Sequence, residues 1–316
     1  MNKPFSRHSL VTSNDQIYRG RFAPSPSGPL HFGSLVAALG SYLQAKANQG
    51  LWFVRIEDID KPREQPGAVA QILEALAAFG MNWDKDENTA NYLNPQDRNC
   101  VVQSNRLERY QQVLDYLTES NSVYACECTR KQIKQLGGLY QGTCAYKKLP
   151  FDDQAIRLHI PDPIMSFRDL LYGEVKSDAP FASEDFIVKR RDGLFAYQLV
   201  VVVDDIDQGI TEIVRGADIL ELTVRQLSLY KLFNVAAPSY LHLPLAVAKP
   251  GFKLSKQNHA QAINPDNPKP ELIAALSFLG LNPEPDLASG SVAQILDWAV
   301  QNWSIKQIPK QTEVIV

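Results

Sequence analysis

Three prolines within the seven residues Ala23-Pro-Ser-Pro-Ser-Gly-Pro29 constrain this chain more than any other feature. Each proline fixes φ and removes a backbone donor, so the stretch excludes both helix and sheet ladder and has to be a stiff loop. Before it, Tyr18 to Arg21 opens as a strand; after it, Leu30 to Gln49 carries apolar residues at helical spacing and stops before Gly50. A strand, a rigid loop and a helix N-terminus in succession expose unpaired N–H groups that favour an anion such as a triphosphate. His31 offers donors to phosphate oxygens. Gly33, followed by Ser34, removes a side chain where a phosphate or flat ring approaches the backbone. Taken alone, the same residues also suit a simple turn with His31 as a capping or core histidine.

The remainder alternates. Leu51 to Ile56 reads as a strand, and Gly67 to Phe79 and Ser104 to Glu119 as amphipathic helices. That order predicts an α/β fold with a parallel sheet and crossover helices. The pattern breaks at Tyr124 to Lys148, rich in Cys, Lys and Gly, and Ile156–His159, Ser166–Leu170 and Gly173–Ser177 read as short strands of an inserted lobe. Phe195 to Val203 is nearly continuously apolar, which predicts a strand buried on both faces, with Asp204, Asp205 and Asp207 at its ligand-binding end. Ile219 to Phe233 reads as helix, as do Pro270–Leu279 and Ser291–Asn302 beyond a lysine-bearing loop.

With 316 residues, 45% of them hydrophobic and 21% charged, the composition is that of a globular enzyme of two or three lobes. The net charge of −3 confines any nucleic-acid contact to local patches, such as Arg130, Lys131 and Lys134, Lys147 and Lys148, or Lys189, Arg190 and Arg191. Met1 to Tyr18 lacks the apolar core of a secretory signal and reads as a leader; the longest apolar run, Leu199 to Val203, is too short to span a bilayer. Of four cysteines, Cys126, Cys128 and Cys144 cluster, a soft donor set that suits zinc in a reducing, cytoplasmic compartment. Tetrahedral zinc needs a fourth ligand, and His159 is the nearest histidine.

Arg21-Phe-Ala-Pro-Ser-Pro-Ser-Gly-Pro-Leu-His-Phe-Gly-Ser34 resembles the first signature of class I aminoacyl-tRNA synthetases, in its glutamyl and glutaminyl form. The family's His-x-Gly-His stands as His31-Phe-Gly-Ser34, with the serine usual in the glutamyl branch. Lys253-Leu-Ser-Lys-Gln257 resembles the family's Lys-Met-Ser-Lys-Ser loop. The resemblance implies a Rossmann-like class I catalytic core, with His31, Lys253 and Lys256 stabilising charge on the phosphates of Mg-ATP. His31, Gly33, Ser34 and Lys256 would then hold ATP. L-glutamate, with two carboxylates and one ammonium, would meet Arg21, the neighbouring Phe22, Ala23, Pro24 and Ser25, and Glu57, Tyr197 and Arg215. Tyr140 matches a tyrosine ligand of relatives and would complete a structural zinc site.

Only 60 residues follow Lys256, too few for the anticodon-binding region of a full-length glutamyl enzyme. The chain therefore resembles the truncated branch of the family. Its members activate glutamate without tRNA and attach it to queuosine in the anticodon loop of tRNA(Asp). The implied organisation is a leader over 1–17, core halves over 18–120 and 181–240, and a zinc-binding lobe over 121–180. The lysine loop and a helical region fill 241–316, with no anticodon-binding domain and a monomeric state. Rival expectations are a shortened synthetase charging the tRNA 3′ end, a non-catalytic RNA- or nucleotide-binding paralogue, and an enzyme that glutamylates a protein.

Overall fold

In the computed structural model the residues described are 4–5, 17–94, 98–135, 137–253 and 261–316. Strand β1 (Arg19–Phe22) leads through the proline loop into α1 (Phe32–Ala47), followed by β2 (Leu51–Ile56), α2 (Ala68–Ala78), β3 (Leu93–Asn94), β4 (Cys100–Val102) and α3 (Leu107–Glu119). The middle of the chain carries β5 (Val123–Cys126), α4 (Arg130–Gln135), β6 (Ala155–Leu158), β7 (Ser166–Asp169), β8 (Gly173–Lys176), α5 (Ala179–Ala182) and β9 (Phe186–Lys189). Next come α6 (Tyr197–Asp207), β10 (Glu212–Gly216), α7 (Thr223–Phe233), β11 (Ser239–Leu243), β12 (Leu245–Lys249), β13 (Phe252–Lys253), α8 (Lys269–Phe278), α9 (Val292–Gln301) and β14 (Glu313–Ile315).

The expected parallel sheet is present. β1 pairs in parallel with β2, β2 with β4, and β10 with β11. Thr211, just ahead of β10, donates its N–H to Arg19 O at 2.9 Å and joins the two groups of strands. Their order is therefore β4-β2-β1-β10-β11. Helix α1 covers this sheet with Leu35, Leu39 and Leu43, one apolar stripe with no exposed surface. It lies so close that a Cβ on Gly40 would come within 2.5 Å of Leu243 Cδ1. The absent side chain at position 40 lets helix and sheet meet.

Phe195 to Val203 is not a strand: Tyr197–Asp207 is helix α6. Leu199 to Val203 are all 0–1% exposed, so the middle of this helix is apolar on every side and buried, while Tyr197, Gln198, Ile206 and Asp207 at its ends are half-buried. A short apolar run fits either a buried strand or a buried helix, and packing overrides the strand preference of its four valines. The correction relocates the acidic cluster. Asp204 and Asp205 are not at a sheet edge but on the last turns of α6, buried against arginines.

The three segments read as strands of an inserted lobe divide between two sheets. β6 lies between β5 and β9 in a small antiparallel sheet, whereas the β7–β8 hairpin joins the main body through Asp169 of β7, opposite Tyr240 of β11. At the C-terminal end, α9 starts with a capping box between Ser291 and Gln294, and β14 returns to pair in parallel with β12. Among the described residues no helix is long and apolar enough to cross a membrane.

Candidate active site

The proline loop delivers the chain to α1 with His31 as the residue that caps it. His31 has extended backbone, and its Nδ1 accepts from the Ser34 N–H at 3.3 Å. An accepting Nδ1 leaves the proton of the neutral ring on Nε2. Capping therefore uses Nδ1 and leaves Nε2 as the donor nitrogen, so the cap does not conflict with the expected donation to phosphate. Gly33 and Ser34 form the first turn, where unpaired N–H groups favour an anion. Ala262 forms an antiparallel bridge with His31, and Ile263 N donates to Leu30 O at 3.0 Å. The chain leaving the lysine segment thus returns to the first signature. Lys253 sits on β13, its backbone opposite Val247; Lys256 lies outside the described residues.

Behind this junction lies a buried charge network. Arg21, on β1, directs Nε and Nη2 at Asp205 with distances of 3.0 and 3.3 Å. Arg55, on β2, reaches the same Asp205 at 2.8 Å, Glu57 at 3.1 Å and Gln208 at 2.7 Å. The fork of Arg21 that the sequence offers to a substrate carboxylate therefore already holds a carboxylate of α6. Burial pushes the Asp205 carboxyl up, but Arg21 and Arg55 together hold it below the usual carboxylate range. For Glu57 the balance is reversed: burial wins over the pull of Arg55 and Arg21 and raises its pKa. Its backbone N–H binds Pro24 O at 3.0 Å, which ties Glu57 to the proline loop.

Arg215, on β10, differs from both other arginines. Its Nε donates to His242 Nε2 at 3.0 Å, Nη1 to Gln226 Oε1 at 2.7 Å and Nη2 to Thr223 Oγ1 at 2.8 Å. The guanidinium also sits 5.0 Å from the centre of the Tyr240 ring. These three acceptors are neutral. Tyr197, the first residue of α6, connects the set. Burial raises its pKa, and Arg215, Glu57, Arg21 and Asp205 all act on its hydroxyl electrostatically. The four predicted glutamate contacts thus share one buried neighbourhood. In or beside it Gln198 Oε1, Gln226 Nε2, Tyr230 Oη and Tyr240 Oη are buried with no hydrogen-bond partner among the described residues.

Sequence reasoning missed Arg55, Thr223, Gln226 and Tyr240 as parts of this neighbourhood, and placed Asp205 at a ligand-binding strand end rather than as the partner of Arg21 and Arg55. It also gave no role to Asp169 and His242, which are 73 positions apart yet only 2.7 Å apart in space. No local pattern signals such a pair. Burial pushes the His242 imidazole down from 6.5 to about 4, with Arg215 adding to the effect and Asp169 opposing it. The unfolded chain therefore takes up this proton first. Stability is fully present above about pH 6.5 and falls as pH drops towards about 4, by up to about 3 kcal/mol. Urea unfolding between pH 7 and 4.5 checks this. The slope with pH should be shallower in His242→Gln, and equal slopes would refute it.

The cysteine cluster forms where β5 ends. The Sγ atoms of Cys126, Cys128 and Cys144 lie within 4.8 Å of one another, and Cys128 and Cys144 are 3.6 Å apart. Thiolates about 2.3 Å from a tetrahedral zinc stand roughly 3.8 Å apart, so the three fit a metal ion. Tyr140 packs against them and its Oη accepts from Cys144 N at 2.7 Å. Arg157 donates from Nε to Cys126 Sγ at 3.2 Å and lies 3.7 Å over the Tyr140 ring. His159 is not in this cluster; it pairs with Asp185 at 3.0 Å.

Residues 18–289 match the family described as tRNA synthetases class I (E and Q), catalytic domain. The chain belongs to this synthetase family. Relatives named glutamyl-Q tRNA(Asp) synthetase include one from Vibrio parahaemolyticus, 52% identical over 297 residues, covering 94% of this chain and 96% of the relative. Another, from Escherichia coli K12, is 52% identical over 300 residues, covering 95% and 93%. Among solved structures, a glutamate tRNA ligase from Elizabethkingia meningosepticum, in complex with its amino acid, superposes with a TM-score of 0.75 at 24% identity. That match covers 94% of this chain and 66% of the ligase, and it shows the synthetase fold.

Proposed function

We propose that this synthetase activates L-glutamate with Mg-ATP and transfers the glutamyl group to queuosine in the anticodon loop of tRNA(Asp). The observation that carries the reading is the 52% identity, over nearly the whole chain, to relatives named for that activity. In the first step the α-carboxylate of glutamate attacks the α-phosphate of ATP, giving glutamyl-adenylate and pyrophosphate. His31 donates from Nε2 to a phosphate oxygen, the first turn of α1 at Gly33 and Ser34 faces the phosphates, and Lys253 and Lys256 meet the negative charge that builds there. Arg21, Phe22, Ala23, Pro24 and Ser25 line the amino-acid end with Tyr197 and Arg215, and Glu57 receives the ammonium. A queuosine ring hydroxyl then attacks the mixed anhydride and releases AMP. No protein nucleophile is needed, and positioning supplies most of the rate.

We assign the cysteine cluster to one structural zinc ion held by Cys126, Cys128, Cys144 and Tyr140, with Arg157 offsetting part of the negative charge of that donor set. When bound, zinc would pin the lobe on which a nucleic acid approaches the adenylate.

Periodate distinguishes the acceptor. Oxidising the 3′ diol of tRNA(Asp) should leave labelling by radioactive glutamate intact, and labelling should vanish with tRNA(Asp) that lacks queuosine. Labelling abolished by periodate would move the acceptor to the 3′ end and overturn the assignment.

A further inference from the structure

Arg215 is a buried cation whose bonds among the described residues go to neutral groups, and the way it is held has a definite chemical polarity. β10, β11 and β7 lie side by side, with Arg215 opposite His242 and Asp169 opposite Tyr240. A guanidinium N–H only donates, so His242 Nε2, 3.0 Å from Arg215 Nε, must be the unprotonated nitrogen. The ring proton then lies on Nδ1 and is donated to Asp169 Oδ2 at 2.7 Å. Asp169 is fixed in turn. Its Oδ1 accepts from Leu171 N at 2.9 Å and Tyr172 N at 3.0 Å, and Oδ2 from His242 N at 3.1 Å. Arg215, His242 and Asp169 are 6%, 0% and 1% exposed.

We propose that Asp169 and His242 are positioning residues that orient the Arg215 guanidinium to receive a carboxylate of the amino-acid substrate. This rests on the reading of Arg215 as a glutamate contact. The relay places a negative charge one ring away from Arg215 while spending only its Nε donor. A direct ion pair would spend two donors, as Asp205 does with Arg21. Together with Gln226 and Thr223, His242 engages three of the five N–H donors among the described residues. The donors that remain are on Nη1 and Nη2, an arrangement suited to a carboxylate.

Asp169→Asn tests the tautomer. Oδ1 must stay an acceptor for two backbone N–H groups, so the new amide N–H₂ faces His242 Nδ1 and gives up the bond from the His242 backbone N–H. The ring would then have to accept at Nδ1 and carry its proton on Nε2, donor against donor with Arg215. In RNA-free, glutamate-dependent ATP–pyrophosphate exchange with the full chain, we expect the KM for glutamate to rise about tenfold or more, as for a lost bond to a charged group. The KM for ATP should stay within about twofold. His242→Gln keeps an acceptor for Arg215 Nε but weakens the link to Asp169, and should raise the glutamate KM by about threefold.

A merely structural role would lower kcat, or the active fraction, and leave both KM values alone. If Arg215→Ala raises the glutamate KM while neither relay variant does, the relay is overturned and the glutamate site stands. If Arg215→Ala leaves that KM unchanged, the assignment of Arg215 falls and the relay with it. Should Asp169→Asn fail to fold, His242→Gln decides: an unchanged glutamate KM overturns the relay.

Discussion

Asp205→Ala is expected to destabilise the synthetase by about 3–5 kcal/mol, the cost of leaving buried charge unpaired. Asp205 is the shared counter-ion of Arg21 and Arg55, whose side chains are 3% and 0% exposed. Without it Arg55 keeps Glu57 at 3.1 Å and Asp204 at 3.6 Å, but Arg21 loses both of its bonds to Asp205. Two like charges are then left side by side in the interior. Asp205→Asn, which retains the shape and an acceptor but not the charge, should fall between the variant and the wild type. Urea unfolding followed by circular dichroism measures both. A midpoint shift equivalent to less than about 1 kcal/mol for Asp205→Ala would show that the guanidinium groups find other partners or water.

On the zinc assignment proposed above, removing the metal should have the other large effect, confined to one lobe. Among the described residues between β5 and β6 there is a single short helix, α4, and the buried cluster there consists of Cys126, Tyr140 and Cys144. So small a core does not hold a segment of this length by itself, and structural zinc sites supply about 10–16 kcal/mol of apparent binding energy. The protein as purified should carry one zinc per chain by elemental analysis. Chelation, or Cys128→Ser, should open residues 127–154 to proteolysis and abolish glutamyl transfer to RNA. Glutamate-dependent pyrophosphate exchange should persist, because Arg21, Glu57 and Arg215 sit on β1, β2 and β10 or just beyond them, away from that lobe. Protein purified without zinc yet equally resistant to protease would exclude a structural metal.

How much of this was legible in the sequence depends on how local each feature is. The β1–loop–α1 junction is encoded locally, by prolines and a capping histidine within the fourteen residues Arg21 to Ser34 and an apolar stripe directly after them, and it folds where the pattern places it. The cysteine cluster is nearly as local, spanning Cys126 to Cys144. The run from Phe195 to Val203 misleads because periodicity vanishes when every face is buried: the same residues satisfy a central strand and an internal helix. Only its packing against α3, β9 and α7 settles the matter. The neighbourhood of the four predicted glutamate contacts was half legible. Arg21, Glu57, Tyr197 and Arg215 stand out through resemblance, whereas Asp205, Asp169 and His242 reach them from distant parts of the chain through contacts no spacing reveals.

The pairing of Ala262 with His31 has a consequence for how the lysine segment works. Lys253 is pinned to Val247 at one end and Ala262 to His31 at the other. Lys256 follows Lys253 by three residues, so their Cα atoms can never be more than about 11 Å apart. In the mechanism proposed above, this connection would leash Lys256 within reach of the phosphate site before any nucleotide arrives. Once a nucleotide is bound, the lysine's encounter with the phosphates would be an intramolecular event, at about millimolar effective concentration, rather than a search through solution. Slackening that leash with inserted glycines would dilute the lysine, leaving its chemistry unaltered.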